Sequence, residues 1–562
     1  MGLLAGPTSY SDAEFSRYLR MVFLASAGYD DIDMARPVVG IGHTISDYTT
    51  CHRDMPALVD AIAKGVLQAG GLPMVFATMS LPEAMVSPTT MLYRNLLAME
   101  TEEVIRSHPM DAVVLVGGCD KTVPAQIMAA ISADVPYVQV VVGPMMTATW
   151  RGERVGACTD CRRLWGQHRA GALTNDELTT ARARLATTGG TCAVMGTAST
   201  MAAVAEVLGL AVKGSSTAPA PSGDRLRIGA RSGRLAVIAA REDRRPSRLL
   251  SRASLHNAAV AIAALGGSTN AVIHLLAIAG RTNLSFVLDD VADALTSTPV
   301  LVDCKPVGSG YLPDLHDSGG VPAVLYELRE LLQLDAATIE GVDLGEHIEF
   351  IEDQRASGMV RTLLDPLAPA GGLRVLRGSL APRGALIKSA AASPELRRHR
   401  GKAVVFESSE DASERLDSPD LAIRPDDVLV IRNVGPVAAG MPEAGAPPVP
   451  AILSRRGVRD MVRVSDGRMS GTSFGTVVLH VTPEAAVGGP LGLVHNGDEI
   501  ELDIDAGRIE LLVDPRQLQQ RRSMWRPPDL AERGWRHLFG RTVLQADEGA
   551  DLDFLSARRP SR

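Results

Sequence analysis

The run Asp111-Ala112-Val113-Val114-Leu115-Val116, followed by Gly117-Gly118-Cys119-Asp120-Lys121-Thr122-Val123-Pro124-Ala125, decides the fold. An unbroken apolar stretch without polar alternation describes a strand covered on both faces, the habit of a parallel sheet buried under helices. Gly117-Gly118 breaks the strand, and Pro124 is expected to open a helix running through Ala130. Working outward, the same order recurs. Leu58, Ala61, Ile62, Gly65, Val66 and Ala69 return at helical spacing, and Gly70-Gly71 ends that helix. Leu72–Ala77 then reads as a short buried strand, and residues 137–142 as another. Strand, tight turn and helix in repetition predict a parallel sheet with helices on both faces, an α/β fold.

After about residue 370 the character changes. Short β-rich runs at 402–407, 427–433, 462–464, 476–481, 499–504 and 508–513 are separated by Gly, Pro and Asp. They read as a barrel or sandwich. The stretch 364–372, rich in Pro, Ala and Gly, marks the boundary, giving units 1–368 and 369–562. A length of 562 residues agrees with more than one core. The net charge of −8 argues against a nucleic-acid partner, and the basic run 241–252 reads as a solvated surface. No apolar stretch is long enough for a bilayer, so no membrane partner is expected. Asp12 and Glu14 interrupt any basic-then-apolar leader, and the expected location is cytoplasmic.

Six cysteines in a chain of this length form no disulfide framework, and a reducing compartment would keep them as thiols. Cys119 stands where a parallel strand yields to a helix, the usual ligand crevice of an open α/β sheet. Beside it, Asp120 brings a hard oxygen donor and Lys121 an amine. One turn can therefore serve a soft and a hard metal at once. Cys51 and Cys192 lie in similar turns, but separations of 68 and 73 residues fit no zinc-finger or ferredoxin spacing. Cys158-Thr159-Asp160-Cys161 is a C-x-x-C without a second pair. It lacks the helix start that would depress a thiol pKa, so a structural role is favoured over a redox one. Cys304 reads as filler. Glu83 and Glu443 are isolated acids, and Ser470 sits in a turn-rich loop without a G-x-S-x-G elbow. No Walker motif and no convincing dinucleotide fingerprint is present.

The whole set resembles the dihydroxy-acid and sugar-acid dehydratases, the family of dihydroxy-acid dehydratase and phosphogluconate dehydratase. The resemblance is carried by 117–125, by Gly190-Thr191-Cys192 with Met195-Gly196-Thr197-Ala198-Ser199-Thr200-Met201, and by Ala264-Leu265-Gly266-Gly267-Ser268-Thr269-Asn270-Ala271-Val272. Gly384-Ala385-Leu386-Ile387-Lys388, Gly440-Met441-Pro442-Glu443 and Asp466-Gly467-Arg468-Met469-Ser470-Gly471-Thr472 extend it along nearly the whole chain. It implies a three-layer α/β/α domain joined to a β-barrel-like domain, with the site between them and near a dimer interface. It implies a 2Fe–2S cluster on Cys51, Cys119 and Cys192, leaving one iron open. It further implies Mg²⁺ on Glu83, Asp120 and Glu443 with a carbamylated Lys121, Ser470 as the base, and a homodimer or homotetramer.

The implied chemistry removes water from a 2,3-dihydroxy carboxylate. Ser470 takes the C2 proton, the C3 hydroxyl departs, and the enol becomes a 2-keto-3-deoxy acid. The segment from Arg151 to Arg162 is similar to the sugar-acid branch, near arabinonate and xylonate dehydratases. The runner-up is the branched-chain dihydroxy-acid dehydratase. A non-catalytic binding protein would be expected to lose Ser470 or a cluster thiol, and a thiol–disulfide oxidoreductase through Cys158 and Cys161 ranks below it. The sequence departs from the family pattern at Pro82, Thr50 and 436–440, loops that bear on substrate fit.

Overall fold

β1 (Val38–His43), β2 (Leu72–Ala77), β3 (Ala112–Gly117) and β4 (Tyr137–Val141) lie side by side in the order β2-β1-β3-β4, all parallel. The computed structural model describes residues 2–8, 10–348 and 358–557. Helix Met55–Gln68 carries the chain from β1 to β2. Helices Met91–Ser107 and Cys119–Ala133 carry it the opposite way, through β3 to β4. Right-handed crossovers therefore put the first helix on one face and the other two on the opposite face, which makes the three-layer α/β/α arrangement. Helix Gly223–Glu242 completes the first face, and it comes unusually close to Met55–Gln68. A Cβ at Gly65 would stand 2.0 Å from the Ala230 carbonyl oxygen, and one at Gly233 would stand 2.1 Å from that of Ile62. Val113, Val114, Leu115 and Val116 have no solvent exposure, each side chain contributing about 1.5–3 kcal/mol through burial.

Two local expectations are corrected. β1 is not marked as a strand in the sequence reading, because Gly40 and Gly42 break its apolar run. The helix expected from Pro124 begins at Cys119 and runs to Ala133, with Pro124 inside it. The proline removes one helical hydrogen bond but does not set the start.

Between β4 and Cys192 the chain makes an excursion: a hairpin of β5 (Ala148–Trp150) and β6 (Glu153–Val155), then helices Thr159–Arg169 and Asn175–Leu185. The second unit is a mixed sheet of eight strands. They are β7 (Arg374–Leu376), β8 (Gly384–Ile387), β9 (Arg398–Phe406), β10 (Val428–Ile431), β11 (Arg463–Ser465), β12 (Val477–Thr482), β13 (Glu499–Asp503) and β14 (Arg508–Leu511). Their order is β14-β13-β9-β10-β11-β12-β8-β7. A bridge from Arg377 to Arg508 brings the two edges together, so the sheet is a nearly closed barrel. Val430, Val464, Val478, Ile500 and Ile509 fill its interior.

The two units are tied at both ends of the barrel. Before it, Val300 bridges Ala368 and Val302 bridges Val360. After it, the chain returns to the first unit. The fully buried Arg94 donates to the carbonyls of Gly549 and Ala550 at 2.9 and 2.8 Å, and Arg281 pairs with Asp551 at 2.5 Å. The basic run 241–252 is a surface, with Arg244, Arg245, Arg248 and Arg252 paired to Glu242, Asp243 and Asp290. Among the described residues no helix is long and apolar enough to cross a membrane.

Candidate active site

The chain reverses its direction of travel between β1 and β3. At such a switch point the loops leaving the strands part and open a crevice. Cys51 lies there in the short 3₁₀ turn Thr50–His52 after β1, Glu83 follows β2, and Cys119, Asp120 and Lys121 follow β3. Cys192 stands on a backbone that prolongs β4, where Thr191 bridges Pro144. Four adjacent strands thus deliver their carboxyl ends to one place.

Cys119 has φ 61°, a left-handed conformation that costs a non-glycine residue about 1–2 kcal/mol. Such strain persists where surrounding structure imposes it. The turn aims the thiol at Cys51. The hydrogen bond between the two sulfurs holds the Cys51 pKa down. The same bond and burial push Cys119 up. The Glu83 backbone also contacts Cys119. His52, buried and held by the Thr44 carbonyl at 2.9 Å, has its pKa lowered by burial and anchors the Cys51 turn as a neutral ring.

The acids form a second, polar cluster. Lys121, with no exposure, places Nζ 3.3 Å from Glu83 and 3.6 Å from Asp120. Arg468, likewise fully buried, reaches across from the barrel. It donates to Glu83 at 2.5 Å, Glu443 at 2.6 Å, the Met441 carbonyl at 2.7 Å and Thr89 at 2.9 Å. Burial opposes the charge of Glu83, but Arg468, Lys121 and the Thr90 hydroxyl hold its carboxyl below the usual range. Glu443 is shifted the other way: burial, then Glu83 and Asp120, outweigh Arg468 and raise it.

Ser470 sits on the loop between β11 and β12. Its Oγ lies 2.8 Å from Thr472 Oγ1 and accepts a longer bond from the Thr472 amide at 3.4 Å. The hydrogen-bond partner of Ser470 Oγ is Thr472, while Arg468 two residues earlier contacts the acids. The loop is docked on the first unit. A Cβ at Gly471 would stand 2.6 Å from Ser268 Oγ and 2.9 Å from the Thr197 amide, so only glycine fits. Asn270 donates to the Met469 carbonyl at 3.0 Å. Lys388, fully buried, donates to the carbonyls of Gly266 and Gly471 at 3.1 Å, and burial brings its pKa down to about 7.

The C-x-x-C segment departs from expectation. Cys158 does stand at a helix start, the N-cap of Thr159–Arg169. It also forms a disulfide with Cys192, so these two cysteines are not free thiols, and Cys192 is turned to Cys158 rather than to the Cys51–Cys119 pair. The 34-residue excursion between them folds back on its own base, which no local spacing announces. Cys304 is buried and its thiol pushed up to about 12, as core filler should be. Arg162, on the same helix as Cys161, faces the site and lies 3.7 Å from Glu443.

Arg468, Thr472, Asn270 and Arg162 were not assigned roles from sequence. Arg468, Thr472 and Asn270 sit in quoted motifs, but their partners come from the other unit. Among the described residues no three His, Cys, Asp or Glu side chains are grouped as an ion site; Arg468 spans the space between Glu83 and Glu443. The donor types nevertheless suit a hard cation: the carboxylates of Glu83, Asp120 and Glu443 gather around Lys121 and Arg468. Cys51 and Cys119 suit a soft metal centre.

A soft thiol pair and a hard acid cluster thus meet at a sheet-and-barrel junction. Residues 36–347 match the family described as dihydroxy-acid/6-phosphogluconate dehydratase, N-terminal, and residues 358–550 match its C-terminal counterpart. The chain belongs to this family and is a dehydratase, a hydro-lyase. It is 42% identical over 534 residues to the 6-deoxy-6-sulfo-D-gluconate dehydratase of Pseudomonas putida, covering 93% of this chain and 91% of that protein. It is 44% identical over 535 residues to the L-arabonate dehydratase of Azospirillum brasilense, covering 93% and 92%. The dihydroxy-acid dehydratase of Aeropyrum pernix is 36% identical over 538 residues, covering 94% and 96%.

Proposed function

We propose that the chain dehydrates a sugar acid, an aldonate such as arabinonate or xylonate, to a 2-keto-3-deoxy acid. The observation that carries this reading is the junction itself: Cys51 and Cys119 beside Glu83, Asp120 and Lys121, closed from the barrel side by Glu443 and Arg468. The higher identity to sugar-acid dehydratases than to the dihydroxy-acid dehydratase supports the polyol branch. So does Arg162, a charged group at the rim that a polyhydroxy acid can engage and an apolar-tailed one cannot.

Cys51, Cys119 and Cys192 would hold a 2Fe–2S cluster, and Glu83, Asp120 and Glu443, with a carbamylated Lys121, would hold Mg²⁺. Bound there, the two would supply Lewis acidity to the departing C3 hydroxyl and to the C2 hydroxyl and carboxylate end. Arg468 bridges Glu83 and Glu443, donating to both, and favours the charged form of each. Ser470, as the alkoxide, would take the C2 proton through Oγ and become the hydroxyl, and the Thr472 hydroxyl and amide would steady the alkoxide before the transfer. Loss of the C2 proton and the C3 hydroxyl removes one water and leaves an enol, which tautomerises to the keto acid.

The test is a panel of aldonic acids plus 2,3-dihydroxyisovalerate, assayed for 2-keto acid release with anaerobically purified protein. A sugar acid should exceed dihydroxyisovalerate in kcat/KM by about 10²-fold or more, because a pocket with polar partners rejects an analogue lacking them. Preference for dihydroxyisovalerate would overturn the substrate reading, and no keto acid from any member would overturn the reaction.

A further inference from the structure

Cys158 lies outside the proposed ligand set, yet the fold delivers it to Cys192 with some care. Its backbone has φ 77°, and the helix it caps is pinned by Asp160. That carboxylate, essentially without exposure, accepts from the Gly156 amide at 2.9 Å, Tyr311 at 2.7 Å, Lys305 at 3.0 Å and Arg163 at 3.2 Å. Thr159 donates to the Thr472 carbonyl at 3.2 Å, joining the turn to the Ser470 loop. Cys192 is fixed from the other side. The Gly190 amide donates to the Cys51 carbonyl at 3.0 Å, and Thr191 is paired with Gly143 and Met145. The two sulfurs meet against Met145, Ala157, Val194 and Tyr311. Their Cα atoms are 6.3 Å apart, within the span a disulfide bridges.

From this we infer that Cys158 and Cys192 form a reversible disulfide that withholds one ligand from the metal centre, so that cluster assembly depends on thiol oxidation state. The inference rests on the reading of Cys192 as a cluster ligand. A disulfide sulfur has no thiolate to give, and only the thiolate ligates iron. Closing the bond joins the two sulfurs and releases two protons and two electrons. A peroxide takes both and is reduced to water or the corresponding alcohol. Opening it requires a dithiol, which ends as its own disulfide and returns two thiols to the protein. With the bond open, Cys192 turns to Cys51 and Cys119, and Cys158 stays beside the centre as a free thiol.

The experiment uses the full chain stripped of iron under reductant and divided in two. One half is treated with hydrogen peroxide and desalted; the other is kept in dithiothreitol and desalted. Peptide mapping without reduction should find Cys158 linked to Cys192 in the oxidised half. Supplied anaerobically with ferrous iron and stoichiometric sulfide, the reduced half should take up about two irons per chain. The oxidised half should load about tenfold more slowly until dithiothreitol is added. Cys158→Ser and Cys158→Ala should load at the reduced rate after either treatment, while Cys161→Ser should keep the dependence. A link between Cys51 and Cys119 in place of Cys158–Cys192 would overturn the inference. So would equal loading of both wild-type halves, or loss of iron from both Cys158 variants, which would make Cys158 a ligand. Reduced wild type that binds no iron would instead overturn the cluster reading on which the inference stands.

Discussion

On the sheet side of the crevice, Cys51, Glu83 and Cys119 hang from the ends of β1, β2 and β3. On the barrel side, Glu443 stands between β10 and β11, and Arg468 and Ser470 between β11 and β12. The sheet side is positioned by backbone register, with each strand locked to its neighbours over five or six residues. The barrel side is positioned by individual side-chain contacts: Lys388 and Asn270 on the loop carbonyls, Gly471 against Ser268, and Arg468 between two glutamates. Stiff register would suit the groups proposed to hold metals at fixed separation, and loops held by a few replaceable contacts would suit the group proposed to gain and lose a proton.

That contrast can be broken from either side. The largest effect is expected on the sheet side: Cys119→Ser should lose iron and bring activity to background, read by iron content and keto acid release. On the barrel side, Ser470→Ala should keep the fold and both metals. It should lower kcat by about 10²-fold to 10⁴-fold, the range of a positioned general base. The mutant should also retain deuterium in 2-deuterated substrate. Turnover near wild type would move the base to another residue.

Arg468→Met tests whether the barrel loop is held by charge. It leaves Glu83 and Glu443 without their shared cation, and the chain should lose about 3–5 kcal/mol in denaturant unfolding. The smallest effect concerns two carboxyls behind the loops. Burial raises Asp466 to about 6, and burial with Asp466 raises Glu484 to about 7. Both accept backbone amides of the 434–438 segment, and Asp466 that of Ala485 as well. Their folded pKa values lie above the unfolded ones, so the native state binds the extra protons between about pH 4 and 7. Their contribution is full below about pH 4 and is lost as pH rises to about 7. The double variant Asp466→Asn/Glu484→Gln should flatten that slope. A wild-type minus variant difference that does not change with pH would leave these carboxyls without a part in it.

The fold was legible where the chain is regular over a short range. The apolar runs at 111–116 and 137–142 announce themselves because a doubly covered strand is mostly apolar, whereas 72–77 forms the expected strand but at the sheet edge, half-exposed rather than buried. β1 does not, because two glycines interrupt it. The barrel strands from β9 onward were visible as apolar runs. Its closure was not, because it depends on the three-residue β7 meeting β14 more than 130 residues later. The candidate site followed the same division. Cys119, Asp120 and Lys121 are suggested by a strand-to-helix turn, and Cys51, Cys192, Glu83, Glu443 and Ser470 by resemblance. The bridging role of Arg468, the pairing of Thr472 with Ser470, and the disulfide of Cys158 belong to contacts between distant segments. No residue pattern encodes them locally.

The barrel enters from a strap paired at Val300 and leaves through a tail held by Arg94 and Arg281. A body moored at both ends is a fixed wall, not a jaw. Swinging it open would mean tearing out buried guanidinium bonds at Gly549, Ala550 and Asp551 together with the strap.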